Sequence, residues 1–499
     1  MSTVSEVDEI ELNGVTSNAD ENLLDSEEKK CQPTPTHKSV DELIDGLWRK
    51  KPISPFAMLS ASSGTASIYS LCFTFMVESS HDICQDGLTN NDCVANALSA
   101  SDLWDISGDY AYRRAIMQGA YFIGQLFSSY ICGILADIVG RVPVYRASIV
   151  INILSGILMC FAGSWKFYAW VKFFGGLSHS GLYSVGSVIG FETNCSQYRR
   201  HVSTFANIAS AIGGIVLAIL AYFFVNFHDL HIAIAIISGI LILSFVYTIE
   251  SPRWLITKGK LDEAQKVLNA IARKNGTTLP DDWRSLLEVP NTSSNSSSAI
   301  MIEPFRNVKI LKQFLPCLLM WFNTTMSFYG ITMKSDIGGG YPFFTFGLLH
   351  TVDIIAQLFL LFFIDKIGRK VFYSFSTISF ALLLFINWLT KDYVSVTISI
   401  ANIVAAKFCV SISYTILSTF TSELFPTLIR NTILGYCSAF ARVGAIASTF
   451  LVDIKVMVFM SLISAILTSC ALYFLPETLG QKLPDSVSET KNENDQNDA

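Results

Sequence analysis

The sequence predicts an all-α membrane protein whose twelve transmembrane helices form two six-helix halves. Two observations predict this fold: the chain carries too little charge for a soluble surface, and one set of charged motifs occurs in each half of the chain. Of the 499 residues, 51% are hydrophobic and 15% are charged, whereas a soluble chain carries about 25% charged residues. Most of the surface is therefore expected to face the hydrocarbon of a bilayer.

Twelve apolar runs account for the predicted helices. A helix needs about 20 mainly apolar residues to span a bilayer, and continuous runs of that length favour helices over the alternating strands of about ten residues in a membrane β-barrel. The predicted spans cover residues 55–77, 113–136, 143–163, 166–190, 203–225, 230–249, 313–333, 342–364, 371–390, 393–419, 431–452 and 455–475.

The polar segments around these runs suggest five regions. Residues 1–50 contain twelve acidic and five basic residues, a composition typical of disorder. The predicted regions are a cytosolic acidic disordered tail at 1–53, an N-terminal six-helix half at 54–249, a cytosolic linker with short helices at 250–312, a C-terminal six-helix half at 313–476 and a cytosolic disordered tail at 477–499. Basic residues are more frequent in loops on the side of the tails, which by the positive-inside rule predicts that both termini are cytosolic.

Two of the eleven cysteines, Cys84 and Cys93, share the predicted outer loop between the first and second spans. An outer loop of a cell-surface protein faces oxidising surroundings, in which disulfides persist. We therefore expect a disulfide between these two cysteines, and we expect the other nine to pack as small apolar residues.

A repeat divides the chain into its two halves. The stretch DIVGR at residues 137–141 returns as DKIGR at residues 365–369, and other charged residues return in the same order 227 to 235 positions later. The further matched pairs are Lys172 and Lys407, Glu192 and Glu423, Arg199 and Arg430, and Glu250 and Glu477. Two tandem six-helix units are the parallel-repeat plan of the major facilitator transporters, in which the substrate site lies near the midplane between the halves.

The repeated charges are expected to form a gate at the inner rim. The residues assigned to this gate and its charge relay are Asp137, Arg141, Lys172, Glu192, Arg199, Asp365, Arg369, Lys407, Glu423 and Arg430. We expect the residues of the two turns to pair with those at the ends of the fourth and tenth spans. Ion pairs that form in one conformation and break in another act as a latch. The alternative is that these charges only set the topology.

Three segments carry a resemblance to a known family. The stretches ESPRWLITKGKLDEAQKVLNAIARKNG (250–276), TSELFPTLIRNT (421–432) and LPETLGQKLPDS (475–486) resemble the organic cation, organic anion and carnitine transporters of the major facilitator superfamily. The resemblance extends from about Val40 to Ser486. It implies a multi-pass plasma-membrane carrier of small organic ions that works by alternating access.

Ionisable residues at membrane depth are the first candidates for substrate contact, because each one is costly to bury there. Arg442 lies near the middle of the eleventh span and Asp353 near the middle of the eighth, with His350 and Gln357 on the same helical face as Asp353. The resemblance implies that an arginine at position 442 favours anions or zwitterions, and a guanidinium binds a carboxylate through two hydrogen bonds. The alternative is that Arg442 only pairs with Asp353.

Aromatic residues complete the predicted substrate site. The resemblance implies that Tyr183 in the fourth span and Trp321, Phe328 and Tyr329 in the seventh line the ligand. Aromatic faces supply apolar area and attract ammonium groups. The alternative is that these side chains only pack, because the chain has 36 phenylalanines and 18 tyrosines.

Several functions find no support in the sequence. It contains no G-x-x-x-x-G-K-[ST] phosphate loop, no nucleophile–base arrangement and no metal-ligand cluster, so we expect a non-enzyme without cofactors, metals or a nucleic-acid partner. The expected partners are a small organic ion and the lipid bilayer, and the protein is expected to function as a monomer. Three alternatives to an anion or zwitterion carrier stay open: an organic cation transporter, a sugar carrier of the same superfamily, and a non-transporting membrane sensor.

Overall fold

The computed structural model describes residues 40–48, 53–76, 99–106, 110–194, 199–286, 305–334, 342–364, 366, 368–390, 392–425, 427–451, 454–473 and 475–478. The predicted Cys84–Cys93 disulfide and the predicted role of Asp365 lie outside these residues, and so does the side chain of Arg199. The boundaries of the five predicted regions stay predictions.

Twelve long helical segments follow the twelve predicted spans. They are α1 (Ile53–Leu71, followed by a 3₁₀ turn at Cys72–Met76), α2 (Ala111–Val139), α3 (Arg141–Cys160), α4 (Trp165–Ser180, continuing through Gly181–Val185 and Gly186–Thr193), α5 (Arg199–Phe223), α6 (Phe227–Ser238 and Leu241–Tyr247), α7 (Val308–Thr332), α8 (Pro342–Phe363), α9 (Arg369–Thr390), α10 (Val396–Leu424), α11 (Thr427–Phe450) and α12 (Ile454–Tyr473). Within the described residues, nine of these helices are long and apolar enough to cross a membrane by length and composition; the other three are α1, α4 and α7. The predicted all-α membrane fold is confirmed.

One helix contains a π-helical turn that matters for the site. In α4 the segment Gly181–Val185 is π-helical, whereas the residues before and after it are α-helical. A side chain at Gly181 would collide with Ser148 of α3, since an ideal Cβ would lie 1.8 Å from its Oγ atom. Turns of this kind are frequent at functional sites, and here the turn carries Tyr183.

The helices pack first within each half and then between halves. In the N-terminal half α2 packs on α4 and α1 on α5; in the C-terminal half α7 packs on α11 and α9 on α10. Glycine permits the closest crossings, because ideal Cβ atoms at Gly124 and Gly176 would lie 2.1 Å and 2.0 Å from backbone oxygens of the partner helix. The halves meet where α2 packs on α11 and where α5 packs on α8.

Aromatic rings join the two halves at the end opposite the D-x-x-G-R turns. Phe75, in the turn after α1, lies 5.2 Å from Phe343 and 4.7 Å from Phe346, both on α8, measured between ring centroids. Phe122 of α2 lies 4.9 Å from Tyr329 of α7. We call these five residues, Phe75, Phe122, Tyr329, Phe343 and Phe346, the aromatic seal, because their rings join the two halves at this end.

A small second core lies at the opposite end of the N-terminal half. The helix Val40–Leu47 packs its apolar face against the linker helices Pro252–Thr257 and Leu261–Asn275. Its apolar residues recur at helical spacing, which explains why it folds against a partner, and the predicted disordered tail therefore contains a helix. The core is fixed to the membrane helices by Trp254, whose Nε1 atom donates to the backbone oxygen of Asp137 over 3.0 Å.

Candidate functional site

A glutamate caps the helix that follows each D-x-x-G-R turn. In the N-terminal half Glu250 accepts hydrogen bonds from the backbone nitrogens of Arg141 (3.0 Å) and Val142 (3.1 Å). In the C-terminal half Glu477 accepts from the backbone nitrogens of Arg369 (2.8 Å) and Lys370 (3.1 Å). A carboxylate at this position satisfies the unpaired N–H groups and the positive end of the helix dipole.

Neither glutamate was assigned a role from the sequence, although their spacing of 227 residues, Glu477 minus Glu250, matched the repeat. Position 140 requires glycine, because its φ angle is +120° and an ideal Cβ would lie 2.7 Å from Oε2 of Glu250. The capping carboxylate thus occupies the space that a side chain would need.

The predicted rim pairs form within each half. Nε of Arg141 lies 3.1 Å from Oε2 of Glu192, and Nε of Arg369 lies 3.2 Å from Oε2 of Glu423. Asp137, 75% exposed, also contacts Arg141 at 3.1 Å.

The expected pairing of Arg430 with a turn residue needs correction, and the other pairs are confined to one half each. The described pairs tie the turn to the end of α4 or of α10 in the same half, and none of those seen in the described residues crosses from one half to the other. Arg430 donates from Nε to the backbone oxygen of Phe425 over 3.2 Å. The side chain of Arg430, in the first turns of α11, extends back toward Phe425 at the end of α10, so its hydrogen bond spans the bend between α10 and α11.

Arg442 occupies the contact region between the two halves. It lies on α11 with 8% of its surface exposed. Its electrostatic neighbours are Tyr121 of α2, His179 and Tyr183 of α4, and Tyr329 of α7. The Nε atom of Arg442 has no hydrogen-bond partner, and in the described part of the chain no carboxylate lies within ion-pair distance of it.

Hydrogen bonds orient the polar groups around Arg442. The hydroxyl of Tyr121 lies 2.9 Å from Nδ1 of His179, and the hydroxyl of Tyr183 donates to Oδ1 of Asn207 on α5 over 2.7 Å. The imidazole of His179 stacks on the ring of Tyr183 with centroids 6.0 Å apart. The π-helical turn of α4 therefore presents Tyr183 beside Arg442 with its hydroxyl held.

The C-terminal half supplies an aromatic wall. Tyr414 of α10 lies 5.3 Å from Phe328 and 6.0 Å from Trp321, measured between ring centroids. Nε1 of Trp321 donates to Oγ1 of Thr421 over 3.0 Å, and Nε2 of Gln357 donates to Oγ1 of Thr415 over 2.7 Å. The polar groups of Trp321 and Gln357, two residues predicted to contact the substrate, are thus both bonded to α10 in this conformation.

Asp353 pairs with Lys407, and this overturns the alternative in which it pairs with Arg442. Oδ1 of Asp353 lies 3.3 Å from Nζ of Lys407 on α10, Oδ2 lies 3.2 Å from Nδ1 of His350, and Ser411 donates a hydrogen bond to the same carboxylate. The physical reason is proximity: α8 packs directly on α10, and Lys407 is fully buried, so its ammonium takes the nearest carboxylate.

The two repeated lysines lie at equivalent ends of equivalent helices. Nζ of Lys172 donates to the backbone oxygen of Tyr69 over 2.8 Å, where α1 changes to its 3₁₀ turn. Nζ of Lys407 donates to Oγ1 of Thr332, the last residue of α7, over 2.8 Å. Both lysines therefore bind the end of the first helix of their half, and their predicted role in a charge relay stays a prediction.

These features are those of one class of protein: a membrane transporter of the major facilitator fold, in which two six-helix halves pack on each other. Solved structures show the fold. The inward-open xylose transporter XylE from E. coli aligns with a TM-score of 0.64 at 14% identity, covering 86% of this chain and 98% of that chain. The proton:xylose symporter XylE bound to 6-bromo-6-deoxy-D-glucose aligns with a TM-score of 0.63 at 14% identity, covering 86% and 97%.

The particular family follows from the sequence comparison. A family model described as "Sugar (and other) transporter" matches residues 62–485, and the chain belongs to that family. It is similar to Solute carrier family 22 member 2 of Mus musculus, 27% identical over 76% of this chain and 68% of the relative. It is also similar to Solute carrier family 22 member 6 of Bos taurus, 28% identical over 78% and 72%, and to the Organic cation transporter protein of Drosophila melanogaster, 26% identical over 79% and 74%. The resemblance to organic ion transporters is confirmed.

Proposed function

We propose that this protein carries small organic anions or zwitterions across the plasma membrane by alternating access, with Arg442 as the contact for the carboxylate. The protein acts as a secondary transporter in this proposal, and both of its termini lie in the cytosol. The single observation that carries the charge preference is a buried arginine without an acidic partner in the described part of the chain.

A buried arginine in this state favours a negatively charged ligand. Intramembrane charges usually pair with one another, and a buried charge without a partner costs several kcal/mol. Asp353 does not neutralise Arg442, because its carboxylate is bound to Lys407. A substrate carboxylate would supply the missing charge and would accept two parallel hydrogen bonds from the guanidinium.

The surroundings of Arg442 suit the same class of ligand. Tyr121, Tyr183 and Tyr329 bring hydroxyl groups near the guanidinium, while Phe328, Trp321 and Tyr414 offer aromatic faces on the other side. A ligand with a carboxylate and an apolar or ammonium-bearing body would contact both walls. Because Tyr121 and Tyr183 belong to the N-terminal half while Arg442 and the aromatic wall belong to the C-terminal half, a rocking motion of the halves would expose the ligand to one side of the membrane at a time.

An organic cation is the second candidate, and the aromatic wall favours it because aromatic faces attract ammonium groups. The named relatives include an organic cation transporter protein. Against a simple cation stands the positive charge of Arg442 among the same residues. The two candidate substrates therefore differ in the charge of the group that they place beside the guanidinium of Arg442: negative for an anion or zwitterion, positive for an organic cation.

Uptake of three radiolabelled probes into cells decides between the candidates: an aryl carboxylate, the zwitterion carnitine and tetraethylammonium. We expect uptake of the carboxylate or of carnitine, and about tenfold or greater loss of affinity in Arg442→Lys, since a hydrogen bond to a charged group contributes about 1.5–3 kcal/mol. The matched control is Arg146→Lys on α3, an arginine that donates to backbone oxygens away from this site. Uptake of tetraethylammonium alone, unchanged in Arg442→Lys, would refute the proposal.

The location and orientation are tested separately. Surface biotinylation of intact cells should label the protein, and tags at both termini should bind antibody only after the plasma membrane is permeabilised. An N- or C-terminal tag that is accessible in intact cells contradicts the proposed orientation. A single species of monomer mass in native mass spectrometry, active after reconstitution, supports function as a monomer.

A further inference from the structure

A histidine lies directly against a glycine where the two halves meet. His350 of α8 is 3% exposed, and an ideal Cβ at Gly214 of α5 would lie 2.4 Å from two carbons of its imidazole ring. The ring therefore rests on the backbone of α5, and no larger residue than glycine fits at position 214 with the ring in this place. This contact holds α5 and α8 together.

The charges around this histidine balance when it is neutral. Nδ1 of His350 lies 3.2 Å from Oδ2 of Asp353, and the same carboxylate binds Lys407 at 3.3 Å. These two are the charged side chains that act on the imidazole in the described residues. One lysine and one aspartate sum to zero, so a proton on His350 would leave one net positive charge in the buried cluster.

The other elements around the imidazole offer that charge little compensation. From α5 the contact is glycine backbone, and on α8 the ring of Phe346 lies 4.7 Å away in an edge-to-face arrangement. Phe346 packs in turn on Phe75 of the aromatic seal. Nδ1 of His350 faces the carboxylate of Asp353, whereas Nε2 has no hydrogen-bond partner among the described residues, so a protonated ring would have to hold its Nε2–H donor away from water.

We propose that His350 is a proton-binding site that links proton uptake to the separation of α5 from α8. The inference rests on the proposed function only in that this separation would open the path to the site around Arg442. The step is a simple protonation: a free ring nitrogen takes one proton from water, and no other bond forms or breaks. Separation of the helices admits water to the imidazolium, so protons bind the separated arrangement more tightly and acid favours it.

A disulfide across the same interface measures the separation. Ideal Cβ atoms place Gly347 of α8 3.6 Å from the Cβ of Ala218 on α5, which is within the range for a disulfide. The variant Ala218→Cys with Gly347→Cys, in lipid nanodiscs, is oxidised between pH 8 and pH 5.5. Mass spectrometry quantifies the crosslinked peptide and thereby separates it from the native cysteines.

The same cysteine pair in a His350→Gln background is the reference, because dividing by its rate removes the pH dependence of thiol oxidation itself. We expect the relative crosslinking rate to fall about tenfold on acidification, within the limit of about tenfold per pH unit for one proton. The control His228→Gln, on α6 and bonded to the backbone oxygen of Cys160, should keep the full fall. His350→Arg, with a permanent charge, should crosslink slowly at every pH.

A relative rate that is constant from pH 8 to pH 5.5 overturns the proposal, as does rapid crosslinking of His350→Arg. Efficient crosslinking of His350→Gln at pH 8 shows that this variant is folded, so a missing pH response cannot be blamed on misfolding. No substrate enters this experiment. Its failure therefore leaves the anion proposal intact, and failure of the uptake test with Arg442→Lys leaves the proton site intact.

Discussion

Removing the carboxylate of Asp353 alone should destabilise the protein more than removing both members of its ion pair. Nζ of Lys407 lies 3.3 Å from Oδ1 of Asp353, and Lys407 is fully buried while Asp353 is 8% exposed. With an effective dielectric constant of about 20, two unit charges at this separation attract by roughly 5 kcal/mol. This agrees with the loss of about 3–5 kcal/mol seen when one partner of a buried pair is removed.

The assay is a double-mutant cycle on the purified protein. Asp353→Leu, Lys407→Met and the double variant are compared with the unmodified chain by apparent melting temperature and by yield of monodisperse protein. Asp353→Leu should lose more stability than the double variant, because it leaves the buried ammonium of Lys407 without a partner. Adding Lys407→Met should recover most of the lost stability. A matched control is Asp262→Leu, which breaks the exposed Asp262–Arg284 pair and should change little.

Two results would refute this reasoning. The first is a double variant whose loss equals the sum of the two single losses, because independent sites add and paired sites do not. The second is an Asp353→Leu variant as stable as the unmodified chain. This result would mean that Lys407 binds another partner or loses its charge without any loss of stability.

Gly140→Ala should lower the yield of folded protein strongly, because the φ angle of Gly140 is +120° and an added Cβ would meet Glu250. The control Gly259→Ala, with a φ angle of +72° but open space around it, should destabilise the protein by only about 1 kcal/mol. Size-exclusion chromatography after detergent extraction measures both yields. Asp137→Asn should leave surface expression intact and slow transport, while Glu192→Gln, which breaks the less exposed pair with Arg141, should slow it more; normal turnover in both variants would reduce these residues to topology markers. Trp254→Phe should destabilise the packing of the linker on the membrane helices by about 1 kcal/mol, because it removes the hydrogen bond to the backbone of Asp137. Faster proteolysis of the linker would show this effect, and an unchanged cleavage rate would contradict it.

The positions of the spans and of the rim clusters could be predicted because each depends on local composition or on a repeat that keeps the order of the charged residues. Twenty apolar residues form one span wherever they occur, and Arg141 with Glu192 has its counterpart in Arg369 with Glu423 because both halves fold alike. Periodicity within α8 likewise placed His350 beside Asp353, three residues apart.

Contacts between helices were less accessible to prediction, since a single sequence does not reveal how neighbouring helices are rotated about their axes. From the sequence, Arg442 is the partner considered for Asp353, whereas the packing of α8 on α10 brings Lys407 to this carboxylate instead. The capping role of Glu250 depends on the chain turning back to the start of α3 after α6. That return path is a tertiary feature, although the repeat had marked the residue.

The rim bonds of each half have a consequence for how the chain can be divided. Glu250 follows α6 and caps α3, while Glu477 follows α12 and caps α9, so each six-helix unit closes its own rim with a residue from its own C-terminal end. A gene divided between codons 287 and 304 would therefore encode two polypeptides, each of which contains the glutamate that caps its own D-x-x-G-R turn. When they are co-expressed, the two fragments should associate in the membrane through the packing of α2 on α11 and of α5 on α8. The reassembled pair should transport substrate.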